Sequence, residues 1–408
     1  MTPSPESLRE VPEHQAQTLG GRHVTLRFPA EEHRARLART RAEMRRRGLA
    51  ALLVFAQESH YYLTGFDTAG YVFFQAGVIT ADERQTVLLT RRPDLRQAET
   101  TSLYEEVRIW LNAEDADPAV DLKGILAELG LAGERIGVEF ATYGLTAANG
   151  RAVERAMAGF APLEDASDLV RGLRLIKSPA ELALVRVAGE LADEATLAMI
   201  EATRQGVLDS AVTAAGVAAM LAGGGDMPAG GPLVNSGPRA LFGRGVAGPR
   251  RIEAADQLMI ELGASFCRYH VCIEHTVAIG RIDPRQKAMT KLAAEALGEI
   301  INAARPGREL GTLDDIHRRV LDGGGFAQAR FAACGYSLGA TFRPTWMDVP
   351  PMIYTGNRLI MAAGMVLFVH IMIPDTATGL AAGVGQTFVV HEGQAEPLSR
   401  IPLVLHSR

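Results

Sequence analysis

Cysteine is scarce in this chain: its 408 residues carry three, Cys267, Cys272 and Cys334, an odd number with no CxxC spacing. That argues against a disulfide framework or a zinc knuckle and leaves three free thiols. Long apolar runs are missing as well. No stretch reaches the roughly 20 residues that a membrane span requires, and the polar N-terminus MTPSPESLREVPEHQ lacks the apolar segment of a signal peptide. A cytoplasmic protein without a membrane partner is expected. Positive charge is not in surplus either, with 42 Lys and Arg against 47 Asp and Glu. A net charge of -5 offers no basic footprint for nucleic acid. No short-period repeat is present, and GGGD at 223–226 lacks the strand-to-helix frame of a phosphate cradle. No cofactor is expected. What is present is an ordinary globular balance, 47% hydrophobic and 22% charged residues, in a chain too long for one core. Two domains acting on a small molecule are expected.

Residues 1–28 show no periodicity and read as an N-terminal arm. From Ala30 to Arg47 charges are dense, as on a solvated amphipathic helix, and Gly48 ends it before the apolar run AALLVFA at 50–56, a buried strand. Strand patterns follow in YVFFQAGVIT, QTVLLT and EEVRIW, then a helix around Leu122–Leu129 and a strand at Ile136–Phe140. This alternation predicts an α/β domain over 29–170. A second domain occupies 171–408. Near its start Ser178 caps a helix, with Pro179 at the first position and Glu181 three residues after the cap. Helices are expected over about 180–204, 208–222, 285–304 and 312–322, with a Gly/Pro-rich segment at 223–237 and strand patterns between.

The segment YHVCIEHT at 269–276 carries the chemistry most visibly. A strand points alternate side chains to opposite faces, so His270, Cys272 and Glu274 share one face while Val271, Ile273 and His275 take the other. A histidine beside a carboxylate is a natural general acid or base, because the carboxylate fixes its tautomer and steadies the imidazolium. The structural alternative is a hydrogen-bonding core histidine; the in-phase neighbours bring the two readings level. His275, out of phase, reads as structural. Cys272 reads either as a thiolate nucleophile or as a small filler. The loop FRPTWMDVPPMIYTGN at 342–357 is rich in proline, aromatic and methionine side chains, and there Trp346 and Asp348 would cage a cationic group or pack against a second subunit.

Three segments carry a family resemblance. SHYYLTGF at 59–66 with LRLIKSPAELALVRVAG at 173–189, DQLMIELGASFCRYHVCIEHTVAIG at 256–280, and GYSLG, AGMVLFVHIMIP and GVGQTFVV between 335 and 390 together resemble the creatinase/prolidase superfamily. The likeness implies an α/β N-terminal domain, a pita-bread α+β C-terminal domain and a homodimer. In that family the second and third segments carry two metal-binding aspartates, a histidine and two glutamates. Here those positions hold Glu261, Cys272, Tyr336, His370 and Gly385. One carboxylate in five does not offset the charge of two cations, so a metal-free site is expected.

Creatinase is the family's metal-free precedent. CIEHT here is similar to its ALERT, which puts Glu274 on the glutamate that orients a guanidinium; Arg244 stands near the position of its proton-shuttling histidine. The small creatinase counterpart of Cys272 favours the filler reading. The resemblance extends to ectoine hydrolase and to a sulfonio-solute lyase branch. The expectation is a metal-independent hydrolase cleaving an amide, amidine or guanidino C–N bond in a small zwitterion. His270 or His370 would activate water, Glu274 and Glu261 would position the substrate, and Tyr336 would donate to a developing oxyanion or bond a backbone carbonyl. Three alternatives stand beside it: elimination by the same base, a rebuilt one-metal site on Glu261, His270, Glu274 and His370, and a binding scaffold.

Overall fold

The computed structural model describes residues 15–19 and 21–408. Their contacts divide the chain into two compact units that part between Arg174 and Leu175. Residues 1–14 and 20 of the expected N-terminal arm lie outside the described residues. Within the rest of that span, strands β1 (Gln15–Leu19) and β2 (Arg22–Leu26) pair as an antiparallel hairpin. Val24 and Leu26 are buried, and so is Phe28. A hairpin thus stands where an arm was expected, and the two-residue spacing of Val24, Leu26 and Phe28 is the local signal of its second strand.

In the first unit, helix α1 (Ala30–Arg47) has Glu31 and Glu32 in its first turn and Arg45 to Arg47 in its last, each set complementing the helix dipole. Gly48, at φ 70°, ends it in the left-handed conformation that glycine adopts at least cost. Strand β3 (Ala51–Val54), buried throughout, follows. SHYYLTGF contributes the end of a helix, α2 (Gln57–Thr64), which Gly65 stops at φ 82°. Glu139 starts this helix by accepting from the amides of Phe55 and Ala56 and from the Ser59 hydroxyl. A sheet completes the unit, in the order β6 (Glu106–Trp110), β5 (Val87–Arg91), β4 (Ala76–Thr80), β3, β7 (Ile136–Val138), β8 (Leu163–Asp165). Helices α3 (Leu95–Thr101), α4 (Pro118–Glu128), α5 (Ala147–Met157) and α6 (Ser167–Arg174) connect and flank it. The expected strand from Tyr71 begins only at Ala76, since Gly70–Val72 form a short 3-10 turn.

The second unit opens with α7 (Pro179–Ala202), and its start is as the sequence predicts. Ser178 accepts from the Glu181 amide while Glu181 takes the Ser178 N–H at 2.9 Å. The other Glu181 oxygen accepts the Tyr269 hydroxyl at 2.9 Å, which ties the cap to the central strands. Ser178→Ala should therefore lower stability by about 1 kcal/mol in urea unfolding; no change would show the cap to be redundant.

Helix α8 (Asp209–Ala222) and strand β9 (Leu233–Ser236) lead to a long hairpin, β10 (Asp256–Phe266) and β11 (Tyr269–Ile279). Its two turn residues, Cys267 and Arg268, both have positive φ, 50° and 70°, matching the twist of the strands they join. Helices α9 (Pro284–Ala303) and α10 (Gly311–Gly323) follow, then β12 (Gly335–Ser337), β13 (Met352–Ile353), β14 (Val366–Asp375) and β15 (Leu380–Val389). The sheet runs β13-β12-β14-β15-β11-β10-β9, with the short strands β16 (Glu396–Pro397) and β17 (His406–Ser407) pairing β15 and β11. Helix α7 packs on β10 and β11, and α9 on β14 and β15. Val369, Ile371 and Ile373 of β14 join the core with α9 and α10. By alternation, Phe368, His370 and Met372 point to the opposite face, where the candidate site lies.

Candidate active site

Register assembles the site. Glu261 on β10 stands opposite Glu274 on β11, Glu274 pairs with Gly385 on β15, and Gly385 with His370 on β14. A single row thus crosses four strands. The adjacent row holds Gly263 and Cys272, with Phe368 and Tyr336 paired beyond them. Two glycines make room beneath the charged row. A Cβ on Gly385 would lie 2.8 Å from the Phe368 ring and 2.9 Å from the Glu274 Cβ, and one on Gly383 would collide with the Glu274 carboxylate.

Glu274 Oε2 lies 3.2 Å from His370 Nδ1. The carboxylate is the buried partner, at 3% side-chain exposure, and the imidazole keeps 18%, so His370 is the more accessible member of the pair. Burial alone would lower the His370 pKa; the hydrogen bond and charge of Glu274 outweigh it and raise the pKa above that of an ordinary histidine. Glu261 behaves oppositely. Burial, reinforced by the facing charge of Glu274, pushes its carboxyl up to about 7 against the pull of His370. The Tyr336 hydroxyl donates to Glu261 Oε1 at 3.4 Å, and itself accepts the Trp346 indole N–H at 2.9 Å. Arg244 is exposed on the segment after β9, and its charge is felt by both Glu261 and His370. One end of the face is apolar, with Met259, Met372 and Ala240 packed together and Phe331 against them. Phe331 also stands 6.4 Å from the His370 ring, a wall that no sequence motif announced.

His270 does not join this group. Its Nε2 accepts the Ala229 N–H at 3.0 Å, and its Nδ1 lies 3.0 Å from Thr341 Oγ1. Thr341 gives its own hydroxyl proton to the Trp346 carbonyl, so Nδ1 carries the ring proton and donates. Both nitrogens are occupied, and burial lowers the His270 pKa to about 4. The expectation that His270 activates water is therefore corrected: it is a buried neutral histidine pinning two loops. Cys272 is also enclosed. Burial and the nearby Glu261 raise its thiol well above the ordinary range, which fits the filler reading and not a nucleophile. Asp348 is buried with Lys177: an Asp348 carboxylate oxygen and the Lys177 ammonium converge on Gly339, 2.6 and 3.4 Å from where its Cβ would sit. The expected cation cage of Trp346 with Asp348 gives way to this charged neighbour and to the Trp346 bond with Tyr336.

A helix-backed antiparallel sheet in this strand order, preceded by a separate α/β unit, is the two-domain layout of a pita-bread protein. Comparison with known proteins agrees. The model of metallopeptidase family M24 matches residues 183–392, and that of the Creatinase/Prolidase N-terminal domain matches 36–176. The chain belongs to metallopeptidase family M24. It is 26% identical over 387 residues to the uncharacterized hydrolase/peptidase y4tM of Sinorhizobium fredii, covering 92% of this chain and 97% of that one. It is 25% identical to the ectoine hydrolase of Halomonas elongata, covering 93% and 98%. With the Xaa-Pro dipeptidase of Pyrococcus furiosus it shares 28% over 235 residues, 57% of this chain and 65% of that relative. The crystal structure of the Pyrococcus horikoshii prolidase superposes with a TM-score of 0.78 at 21% identity, over 90% of this chain and 99% of that one. This last likeness carries the fold alone.

The family's two-metal centre does not fit the residues present. Of the five matching positions, Gly385 has no donor, Cys272 and Tyr336 bring a thiol and a phenol in place of a carboxylate and an imidazole, and Tyr336 is engaged with Trp346 and Glu261, so one carboxylate remains to balance two cations. Of the four donors of a rebuilt one-metal site, His270 is tied elsewhere, to Ala229 and Thr341. Among the described residues, the one set of three His, Cys, Asp or Glu donors within 4.8 Å of one another is Asp314, His317 and Cys334. That set is fully buried, and its Asp314 already accepts from Arg318 and Thr355.

Proposed function

We propose that this protein is a metal-independent hydrolase that cleaves a C–N bond of amide, amidine or guanidino type in a small zwitterionic molecule. The observation that carries the proposal is the Glu274–His370 pair set in one sheet row with Glu261, a carboxyl held near neutrality. His370 stays protonated because Glu274 holds its Nδ1–H, which leaves Nε2–H to face the cavity. Ionised Glu261 takes a proton from water, and the water oxygen bonds to the substrate carbon. As the C–N bond breaks, its electron pair goes to nitrogen and His370 supplies the proton. Arg244 at the rim recognises an anionic group, and Phe331 and Trp346 bound the space. The match to a hydrolase along nearly the whole chain supports hydrolysis over elimination.

The test has two parts, run on substrates found by thermal-shift screening of small zwitterions, cyclic amidines, guanidino acids and N-acyl amino acids. Turnover in labelled water is expected to place one heavy oxygen in the product, and prior chelation is expected to leave the rate unchanged. Product without the label would replace hydrolysis by elimination. Loss of activity on chelation with recovery on adding manganese or cobalt would overturn metal independence.

A further inference from the structure

Trp346 is 7% exposed and lies between two glycines from different segments. A Cβ on Gly263 of β10 would lie 3.0 Å from the indole, and one on Gly230 of the Gly/Pro-rich loop 2.9 Å. Any other residue at either position would displace the ring. Its backbone carbonyl is held by Thr341, which His270 holds in turn, and the other nitrogen of His270 holds Ala229, next to Gly230. The indole is thus fixed in plane and at its root. An indole N–H only donates. Bound to it at 2.9 Å, the Tyr336 oxygen must accept, and its single proton is left to point at Glu261 Oε1.

We infer that Trp346 is a positioning residue: seated on Gly230 and Gly263 and anchored through Thr341 and His270, it aims the Tyr336 hydroxyl at Glu261. This rests on the proposed role of Glu261 only for its consequence, since the alignment itself exists without substrate. With the relay intact the hydroxyl stabilises ionised Glu261 and offsets part of the rise that burial causes. A tryptophan that merely filled space would affect packing and leave the carboxyl's titration alone.

The experiment follows the Glu261 carboxyl by NMR in protein labelled with 13C at glutamate side-chain carboxyls, the signal being assigned by its loss in Glu261→Gln. Trp346→Phe keeps most of the volume and removes the donor. The expected result is a Glu261 midpoint raised by about half to one unit, the size of a hydrogen bond worth ~1 kcal/mol. Tyr336→Phe should raise it by at least as much. The double variant should add nothing to Tyr336→Phe, because the two residues act in series. If Trp346→Phe lowers the melting temperature but leaves the midpoint in place while Tyr336→Phe moves it, Trp346 is packing only and the inference falls. It falls equally if neither variant moves the midpoint. Because no substrate is present, these outcomes are independent of whether the hydrolase proposal holds.

Discussion

Glu261→Gln is expected to lower kcat/KM by about 10²–10⁴-fold and to erase the acid limb of its pH dependence. The wild-type profile should be a narrow bell. Activity rises as Glu261 ionises near 7, the value to which burial has lifted it, and falls at higher pH as His370 loses the proton that Glu274 helps it keep. Because the two groups feel each other's charge, the limbs report the pair and not either residue alone. His370→Gln should cost a similar factor and flatten the alkaline limb instead. The two losses should not multiply in the double variant, since both groups serve one proton cycle. A profile that keeps both limbs after either substitution would remove these residues from the reaction.

Acid should destabilise the protein well before its surface carboxylates are protonated. Burial is the first cause that lowers the pKa of His33, His60 and His275 from 6.5 to about 3, and that of His270 to about 4. For a depressed pKa the sign is fixed. The stabilising contribution is complete above 6.5, where neither state binds the proton. It erodes below 6.5, as the unfolded chain protonates first, and is lost by the time pH reaches the folded values. One such histidine accounts for about 3–5 kcal/mol over that window. Glu261, raised to about 7, acts in the other direction and offsets part of the loss. Unfolding in urea at pH 5.5 should therefore take up about two to four protons, and His270→Asn should reduce that number. A stability that stays flat between pH 7 and 5 would contradict the burial of these rings.

The helix starts were legible because their signals are local. Ser178, Pro179 and Glu181 lie within four residues of one another, and the cap they form needs no distant partner. The two-residue alternation of β11 was legible for the same reason, and it does place His270, Cys272 and Glu274 on one face. What alternation does not report is how far apart same-face residues lie. At a rise of about 3.3 Å per residue, His270 and Glu274 are separated by about 13 Å along the strand, enough to belong to different surroundings. The neighbours of Glu274 are Gly385 and His370, while those of His270 are Ala229 and Thr341. The helix that SHYYLTGF ends was not legible in the same way, because what starts it is Glu139, some 80 positions downstream.

The sequence alone determined where the long helices begin, which side chains of β11 share a face, and that the five positions matching the family's metal ligands hold one carboxylate, because each of these is written in residue type and short spacing. Only the tertiary structure decided which histidine meets a carboxylate. That choice depends on sheet register and on loops more than 40 residues away in the chain, and protonation follows from the burial and charge they bring together.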